Sequence, residues 1–233
     1  MKISCCIIGK NEVNDIGRCL TSIINKVYEI IYVDTGSEDG TVEYIKEAFP
    51  SVKTFFYKWN DDFAAARNYS ISKAKGGFIL YIDCDEEFVG NFPSELENAV
   101  YNLNINNLTD SGNYTRTQSP RLIYREKGLK FIGTIHERFD TSLPIKNFQE
   151  GYIVHYGYLT SYIKNKDKVS RNIKSLEKVV KPDATTLYYL SREYLALEKY
   201  EESQKLATRG IHKLTGTPIH NTFKPLFYRF LGL

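Results

Sequence analysis

Two aspartates separated by a single residue follow directly on an apolar run in this chain. Phe78–Ile82 reads FILYI, and Asp83 and Asp85 come after it. In a strand, residues i and i+2 point the same way, so both carboxylates would face one side of the turn at the strand's end. Mg²⁺ and Mn²⁺ prefer oxygen ligands and take one or two carboxylates together with substrate phosphates. The spacing therefore indicates binding of a divalent cation and a diphosphate; the alternative is an acidic turn that is merely solvated.

Further polar residues stand where neighbouring strands are predicted to end. Asn11 and Glu12 follow the first apolar run, and Asp34 ends the second, ahead of the turn-forming residues 35–41. The carboxyl ends of parallel strands meet at one edge of a sheet, where ligands bind. These three residues are therefore candidates for contacts with a bound ligand. A capping turn for Asn11 and Glu12, and a helix N-cap for Asp34, are the structural alternatives.

Arginine and histidine side chains supply the remaining candidates. Arg67 lies in a predicted helix beside the small residues 64–66, which favours a role beyond that of an exposed helix arginine. Arg121 and Arg171 are weaker candidates for contact with an anionic group, which guanidinium groups bind through paired hydrogen bonds. His155 stands on an apolar strand, a pattern that fits a core histidine and a metal ligand equally well.

The first part of the chain alternates strand-like and helix-like segments. Apolar runs predict strands at Ile3–Ile8, Glu29–Val33, Val52–Tyr57 and Phe78–Ile82. The helical spacing of apolar residues predicts helices at Asn11–Ile24, Val42–Ala48 and Phe63–Lys75. This alternation predicts an α/β fold with a mostly parallel, Rossmann-like sheet flanked by helices, and ligands at the carboxyl ends of its strands.

The second part of the chain changes character twice. From about Asn102 to Pro120, Asn, Thr and Ser recur, and the stretch is predicted to be a flexible loop or a sheet edge. Further strands, predicted as antiparallel additions to the sheet, follow at Arg121–Tyr124, Lys130–Ile135 and Tyr152–Tyr156. After Lys164 the pattern is helical. We therefore expect two domains, residues 1–163 and residues 164–233.

The helical region carries large and small residues at the positions of one tetratricopeptide repeat: Leu187, Leu190, Ser191, Tyr194, Tyr200, Ser203, Ala207 and Gly210. A generic helical hairpin is the alternative. One repeat cannot bury its own face, so the pair docks on the first domain, dimerises, or begins an array that continues beyond residue 233. The apolar residues that follow at helical spacing are expected to be buried: Phe223, Leu226, Phe227, Phe230 and Leu231.

Composition bounds the class of protein. The chain has 233 residues, 42% hydrophobic and 25% charged, which is the balance of an ordinary globular protein. A net charge of +3 without a dense block of Lys and Arg argues against nucleic-acid binding. The four cysteines form no C-x-x-C pair, and the sequence shows no signal peptide or long apolar run. We therefore expect a cytoplasmic protein with reduced thiols and no transmembrane segment.

Six segments, in their order and spacing, resemble one family: Gly9–Glu12, Val33–Thr41, Asp62–Asn68, Asp83–Glu86, Gly133–Glu137 and His155–Tyr158. The resemblance is to the family 2 glycosyltransferases of the GT-A fold. Within them it is to the bacterial subgroup with C-terminal tetratricopeptide repeats, which includes sublancin-type peptide S-glycosyltransferases and flagellin-modifying enzymes. The resemblance covers nearly the whole chain. It departs at Lys10, where many members have a tyrosine that stacks on the base.

The resemblance implies a metal-dependent, inverting glycosyltransferase of the hexosyltransferase type. It would move a sugar from a nucleotide diphosphate, expected to be a UDP-sugar, to a peptide or protein side chain. Mn²⁺ or Mg²⁺ would be the cofactor that neutralises the leaving diphosphate. Two alternatives stay open: transfer to a cell-surface glycan, and a GT-A-fold scaffold module without catalysis. Residues 1–163 would form the catalytic domain, and the C-terminal helices a surface for protein contact or a homodimer.

Roles for individual residues also follow from the resemblance. Asp85 and His155 would hold the metal, and Asp83 would reach the metal or the ribose. Asp34 would accept the N3–H of uracil. The other residues expected to contact the nucleotide sugar are Asn11, Glu12, Arg67, Arg121 and Arg171.

The same resemblance points to a catalytic base. An inverting transferase needs one positioned base on the face opposite the leaving group. Glu137 is the expected base, and His136 would orient it or contact the donor. The alternative is that Glu137 only pairs with Arg138 or Lys130.

Overall fold

The computed structural model describes residues 1–133, 137–157, 159, 167–214 and 227. The chain forms two compact units, Met1–Lys164 and Asn165–Leu233. Among the helices of these described residues, none combines the length and apolar character needed to cross a membrane.

The first unit begins with alternating strands and helices, as predicted. In chain order they are β1 (Ile3–Gly9), α1 (Ile16–Ile23), β2 (Glu29–Asp34), α2 (Thr41–Ala48), β3 (Lys53–Phe56), α3 (Phe63–Lys73) and β4 (Phe78–Tyr81). The strands pair in parallel in the order β3-β2-β1-β4. Strands β1, β2 and β4 are buried along nearly their whole length. Helices cover both faces of such a sheet, so its inner strands are continuous apolar runs.

The helix predicted at Asn11–Ile24 is shorter than expected. Asn11 has a φ of 59°, in the left-handed region, which a right-handed helix does not contain. Helix α1 begins only at Ile16. Residues 11–15 are therefore a loop at the carboxyl end of β1, where they can reach the neighbouring strand ends.

The sheet continues with strands from the later part of the unit. They are β5 (Glu86–Gly90), β6 (Val100–Leu108), β7 (Tyr114–Tyr124), β8 (Lys130–Ile132), β9 (Arg138–Asp140) and β10 (Ile145–His155). The large sheet has the order β3-β2-β1-β4-β7-β6-β10-β5, and β8 pairs with β9 in a separate small sheet. Strand β7 is antiparallel to β4 and β6, whereas β10 is parallel to β6 and antiparallel to β5. The prediction of purely antiparallel additions is therefore wrong for β10.

The prediction of a flexible loop or sheet edge at residues 102–120 is also wrong. These residues form most of β6 and β7, which are interior strands of the large sheet. Leu103 and Ile105 alternate with polar residues and are buried. The polar residues bond to each other across the two strands; for example, Gln118 Nε2 donates to Asn104 Oδ1 at 2.9 Å. Cross-strand pairing of amides and hydroxyls explains why a loop-like composition occurs in a sheet.

Two apolar clusters lie on the two faces of the sheet. On β1, Ile3, Cys5 and Ile7 belong to the cluster that includes α1. Cys6 and Ile8 belong to the cluster that includes α3. A shift of one residue would exchange these faces, so the alternation sets the register of β1 and the position of the loop that follows it.

The second unit is helical in its described part. Its helices are α4 (Asp167–Glu177), α5 (Ala184–Ala196) and α6 (Tyr200–Leu214). Helices α5 and α6 meet at small residues, where Ser203 Oγ donates to the Ser191 carbonyl oxygen at 2.8 Å. Phe227 is fully buried against Gly210, as expected from its spacing. The other apolar residues of that segment lie outside the described residues: Phe223, Leu226, Phe230 and Leu231.

Candidate active site

The loops after β1 and β2 are tied together at the carboxyl edge of the sheet. The Asn11 N–H donates to Ser37 Oγ, and Asn11 Oδ1 accepts from the Glu38 N–H, both at 2.9 Å. The Glu12 N–H donates to Thr41 Oγ1 at 2.8 Å. The side-chain oxygen of Asn11 therefore bonds to the backbone of the neighbouring loop, as the capping alternative expects. Together these hydrogen bonds fix the two loops relative to each other.

Asp34 ends β2 inside this edge and is buried. Its Oδ2 accepts the N–H groups of Gly36 and Ser37 at 2.9 and 3.0 Å. Its Oδ1 is also buried and has no hydrogen-bond partner within the described residues. The first N–H of helix α2, on Thr41, is bound instead by Asp39 Oδ1 at 3.0 Å, so Asp34 is not its cap. A buried acceptor without a donor costs free energy, which makes this oxygen suited to an N–H of a ligand.

Two buried arginines hold Asp83. Arg67, on α3, donates from Nη2 to Asp83 Oδ1 at 2.8 Å, and Nη1 of Arg121, on β7, lies 3.5 Å from Asp83 Oδ2. Both guanidinium groups lie over the Tyr81 ring, 4.7 and 4.8 Å from its centroid. Desolvation works against the charged carboxylate, but the two arginines outweigh it and hold the pKa of Asp83 well below its usual range. The structure thus brings the predicted site residues Arg67 and Arg121 together around a third, the carboxylate of Asp83.

Asp85 and His155 face each other just beyond this cluster. Asp85 Oδ2 is 3.4 Å from His155 Nε2, and His155 Nδ1 is 2.9 Å from Asn107 Oδ1. An amide oxygen only accepts, so Nδ1 carries a proton and the ring is oriented with Nε2 toward Asp85. Burial lowers the pKa of His155, but the hydrogen bond and charge of Asp85 outweigh it and raise that pKa above its ordinary value.

The space beside this pair is open because residue 157 is a glycine. A Cβ there would lie 2.5 Å from both Asp85 Oδ2 and His155 Nε2. The surroundings are acidic: burial first, and then the charges of Asp85 and other aspartates, raise the pKa of Glu12 to about 8. Within the described part of the chain, no three His, Cys, Asp or Glu side chains are grouped closely enough to hold a metal by themselves. The donors therefore fit a cation that takes two protein ligands and completes its shell with phosphate oxygens and water.

Glu137, the predicted base, is nearly buried, and its Oε1 accepts a hydrogen bond from Arg67 Nε. Lys130, one of its alternative partners, instead lies with Nζ 3.4 Å from Asp140 Oδ2. Arg67 thus links Glu137 to Asp83. Glu137 is placed at the same cluster as the predicted donor-binding residues, and its role as base stays a prediction.

Two predicted residues have no described side chain. His136 lies outside the described residues. Arg171 belongs to α4 in the second unit, and its side chain is likewise outside them. Their roles also stay predictions.

Three residues of the cluster were not predicted. Glu86 is buried, and burial raises its pKa to about 7 against the lowering effect of Arg121. The signal for Glu86 was its place at the end of the Asp83–Glu86 segment that carries the family resemblance. Asn107 fell within the stretch expected to be a loop, and Tyr81 read as an ordinary core residue of β4.

An α/β sheet with apolar clusters on both faces gathers these carboxylates and arginines at its carboxyl edge, which is the arrangement expected of a GT-A transferase. Comparison with known proteins gives the family: residues 4–152 match the profile described as Glycosyl transferase family 2. The chain therefore belongs to glycosyl transferase family 2. The predicted family and the predicted α/β, GT-A-like fold class are confirmed, and helices follow the sheet as expected. The assignment of α5 and α6 to a tetratricopeptide-like hairpin stays a prediction.

Individual relatives extend the likeness over most of the chain. The SPbeta prophage-derived glycosyltransferase SunS of Bacillus subtilis is 31% identical over 224 residues, which cover 90% of this chain and 53% of that protein. A TPR repeat-containing protein of Synechococcus elongatus is 32% identical over 192 residues, covering 76% of this chain and 47% of that protein. The chain thus spans about half the length of these curated relatives.

A solved structure shares the fold. The crystal structure of S. aureus TarS 1–349 in complex with UDP-GlcNAc aligns with a TM-score of 0.58 at 15% identity, covering 100% of this chain and 88% of that one. The complex of the same protein with UDP aligns equally well, with a TM-score of 0.58. At this identity the likeness shows the fold.

Proposed function

We propose that this chain is the catalytic part of a metal-dependent, inverting glycosyltransferase that moves a hexose from a UDP-sugar to a peptide or protein side chain. The observation that carries the proposal is the Asp85–His155 pair, which opens onto Gly157 beside the arginine-held Asp83. Family membership supports the reaction class. The fold shared with TarS in complex with UDP and UDP-GlcNAc supports the donor class.

The nucleoside would bind at the loops after β1 and β2. Oδ1 of Asp34, which has no hydrogen-bond partner in the described part of the chain, would accept the N3–H of uracil. Phe56 pairs with Asp34 across β3 and β2 and is 64% exposed, so its ring is available to stack on the base in place of the tyrosine absent at position 10. Asn11 and Glu12 border the same edge and are assigned to the nucleotide, with Glu12 facing the ribose.

The diphosphate would bind where Asp85, His155 and the two arginines meet. Asp85 and His155 hold Mn²⁺ or Mg²⁺ in this proposal, with Asp83 as a further ligand or a ribose contact. When bound, the cation acts as a Lewis acid that neutralises charge on the leaving diphosphate. Arg67 and Arg121 add positive charge at the same place.

Glu137 is the proposed base. Its carboxylate takes the proton of the acceptor hydroxyl or thiol as the acceptor atom bonds to the anomeric carbon. The bond from that carbon to the diphosphate oxygen breaks at the same time, and UDP leaves with the electron pair. Arg67 holds this carboxylate in the structure. A donor diphosphate competes for the same guanidinium, so donor binding would release Glu137 for proton transfer.

The class of acceptor is inferred mainly from the helices of the second unit. A protein or peptide acceptor is supported by the α5–α6 pair and by the TPR repeat-containing relative, because stacked helical repeats form concave binding surfaces. A homodimer through these helices belongs to the same proposal, and sedimentation equilibrium checks it.

Donor binding tests the proposal. UDP-sugar binding and hydrolysis are measured with Mn²⁺, Mg²⁺ or a chelator, on wild type, Asp85→Asn and the control Asp183→Asn, which removes a carboxylate from the exposed start of α5. We expect metal-dependent binding of a UDP-sugar in wild type and control, and its loss in Asp85→Asn. A folded wild type that binds no nucleotide sugar contradicts the proposal.

A further inference from the structure

The turn that carries Asp83 and Asp85 is closed by the residue after it. The Glu86 N–H donates to the Asp83 carbonyl oxygen at 3.1 Å, and Glu86 Oε2 accepts from the Asp83 N–H at 2.8 Å. Glu86 is only 1% exposed, so these bonds do not compete with water. The two hydrogen bonds form a ring that contains Asp85, which limits the directions in which its carboxylate can point.

The second oxygen of Glu86 is held from another strand. Arg121 Nη2, on β7, donates to Glu86 Oε1 at 2.5 Å. Nη1 of the same guanidinium lies 3.5 Å from Asp83 Oδ2, and the group rests on the Tyr81 ring. Arg121 therefore connects the turn both to Asp83 and, through its strand, to the interior of the sheet.

Burying an ion pair is a costly way to join two strands. Removing two charges from water costs several kcal/mol per ion, and apolar side chains of similar size often hold a core equally well. The pair instead fixes orientation. Arg121 fixes the position of the Glu86 carboxylate, and that carboxylate fixes the conformation of the turn through the Asp83 N–H.

We propose that Glu86 is a positioning residue: held by Arg121, which also faces the diphosphate, it aims Asp83 and Asp85 at the donor's cation and diphosphate. This inference rests on the proposed function and deepens it. Neither carboxylate oxygen of Glu86 needs to touch the donor. Its effect should appear in how tightly the cation and diphosphate bind, and the nucleoside at the loops after β1 and β2 should bind as before.

Glu86→Gln separates these effects. The amide oxygen of glutamine can still accept the Asp83 N–H, but its NH₂ group faces the donors of Arg121. We expect the Mn²⁺ concentration at half-saturation of UDP binding to rise about tenfold to a hundredfold, as for other residues that orient metal ligands. Uridine binding without metal should stay within twofold of wild type. Glu87→Gln is the matched control, because it removes the neighbouring carboxylate, whose Oε2 accepts from Tyr156 at 2.9 Å.

A double variant distinguishes positioning from stability. Glu86→Gln with Arg121→Met removes both buried charges, so it should unfold at a urea concentration closer to that of wild type than Glu86→Gln does. Arg121 also adds charge beside the proposed diphosphate site, so UDP should bind the double variant more weakly at every Mn²⁺ concentration. If the pair only stabilises the fold, the Mn²⁺ concentration at half-saturation nevertheless returns to that of wild type. In our proposal it does not, because Arg121 then no longer holds the side chain of residue 86 in place. If circular dichroism shows that Glu86→Gln is unfolded, the same comparison is made with the double variant alone.

Titration calorimetry with UDP and with uridine, across Mn²⁺ concentrations, measures both the metal-dependent binding of UDP and the metal-independent binding of uridine. Unchanged Mn²⁺ dependence in a folded Glu86→Gln or in the double variant overturns the positioning role and leaves the proposed function standing. A wild type that binds neither uridine nor UDP contradicts the proposed function and, with it, this inference.

Discussion

Replacing Asp34 with asparagine should move the base preference from uridine towards cytidine. The loop N–H groups of Gly36 and Ser37 bind Oδ2 of Asp34. In the variant they bind the amide oxygen, so the NH₂ group takes the position of Oδ1, for which the described residues supply no donor. A donor then faces the N3–H of uracil, whereas the N3 of cytosine is an acceptor and can receive it.

The size of the effect follows from the burial of this carboxylate. Asp34 is 5% exposed, so solvent screens its bond to the base very little. A hydrogen bond to a charged group contributes about 1.5–3 kcal/mol, which corresponds to a roughly 10- to 150-fold loss of UDP affinity. Stability should change much less, because both loop N–H groups keep an acceptor.

Titration calorimetry with UDP and CDP measures the shift. The control is Asp183→Asn, since Asp183 caps helix α5 through the Thr186 N–H at 2.8 Å and asparagine caps equally well. We expect UDP to bind more weakly and CDP more tightly in Asp34→Asn alone. Unchanged UDP affinity in a folded variant refutes the assignment of Asp34 to the base.

Three further predictions concern the cation, the base and the fold. Gly157→Ala should abolish the Mn²⁺-dependent part of UDP binding and spare uridine binding in chelator, because the new Cβ lies 2.5 Å from both proposed ligands; equal Mn²⁺ dependence in calorimetry would contradict this. Phe56→Ala should weaken uridine binding roughly 5- to 150-fold, since stacking of one base contributes about 1–3 kcal/mol, and Phe56→Tyr should not; equal affinities of both variants rule out the stack. Desolvation opposes the charge of Glu29, but hydrogen bonds from Lys53 and the Lys75 N–H hold its pKa below 4.5. Its ionised form therefore stabilises the fold above that pH and loses this effect as the pH falls through the lower folded-state pKa. The urea midpoint of Glu29→Gln should lie below that of wild type at about pH 7 and approach it as the pH falls through the lowered pKa of Glu29, and a gap independent of pH would show that Glu29 does not titrate as expected.

The local pattern of apolar residues was sufficient to predict the parallel half of the sheet. Continuous apolar runs mark strands covered on both faces, and the residues that end them lie at the carboxyl edge whatever the rest of the chain does. For this reason the positions of Asp34, Asp83 and Asp85 along that edge could be predicted. Pattern failed at residues 102–120, because amides that pair across two strands have the composition of a loop.

The partners within the site depended on tertiary structure. Arg67 and Glu137 are 70 residues apart in the chain, and Arg121 and Glu86 are 35 apart. Periodicity reports which face of an element a residue occupies, but not which distant element packs against that face. The sequence by itself therefore determined the family, the strand ends and the acidic residues on them. Only the packing of β7, α3 and Glu137 decided which arginine holds which carboxylate, because those pairs form between residues that are neighbours in space alone.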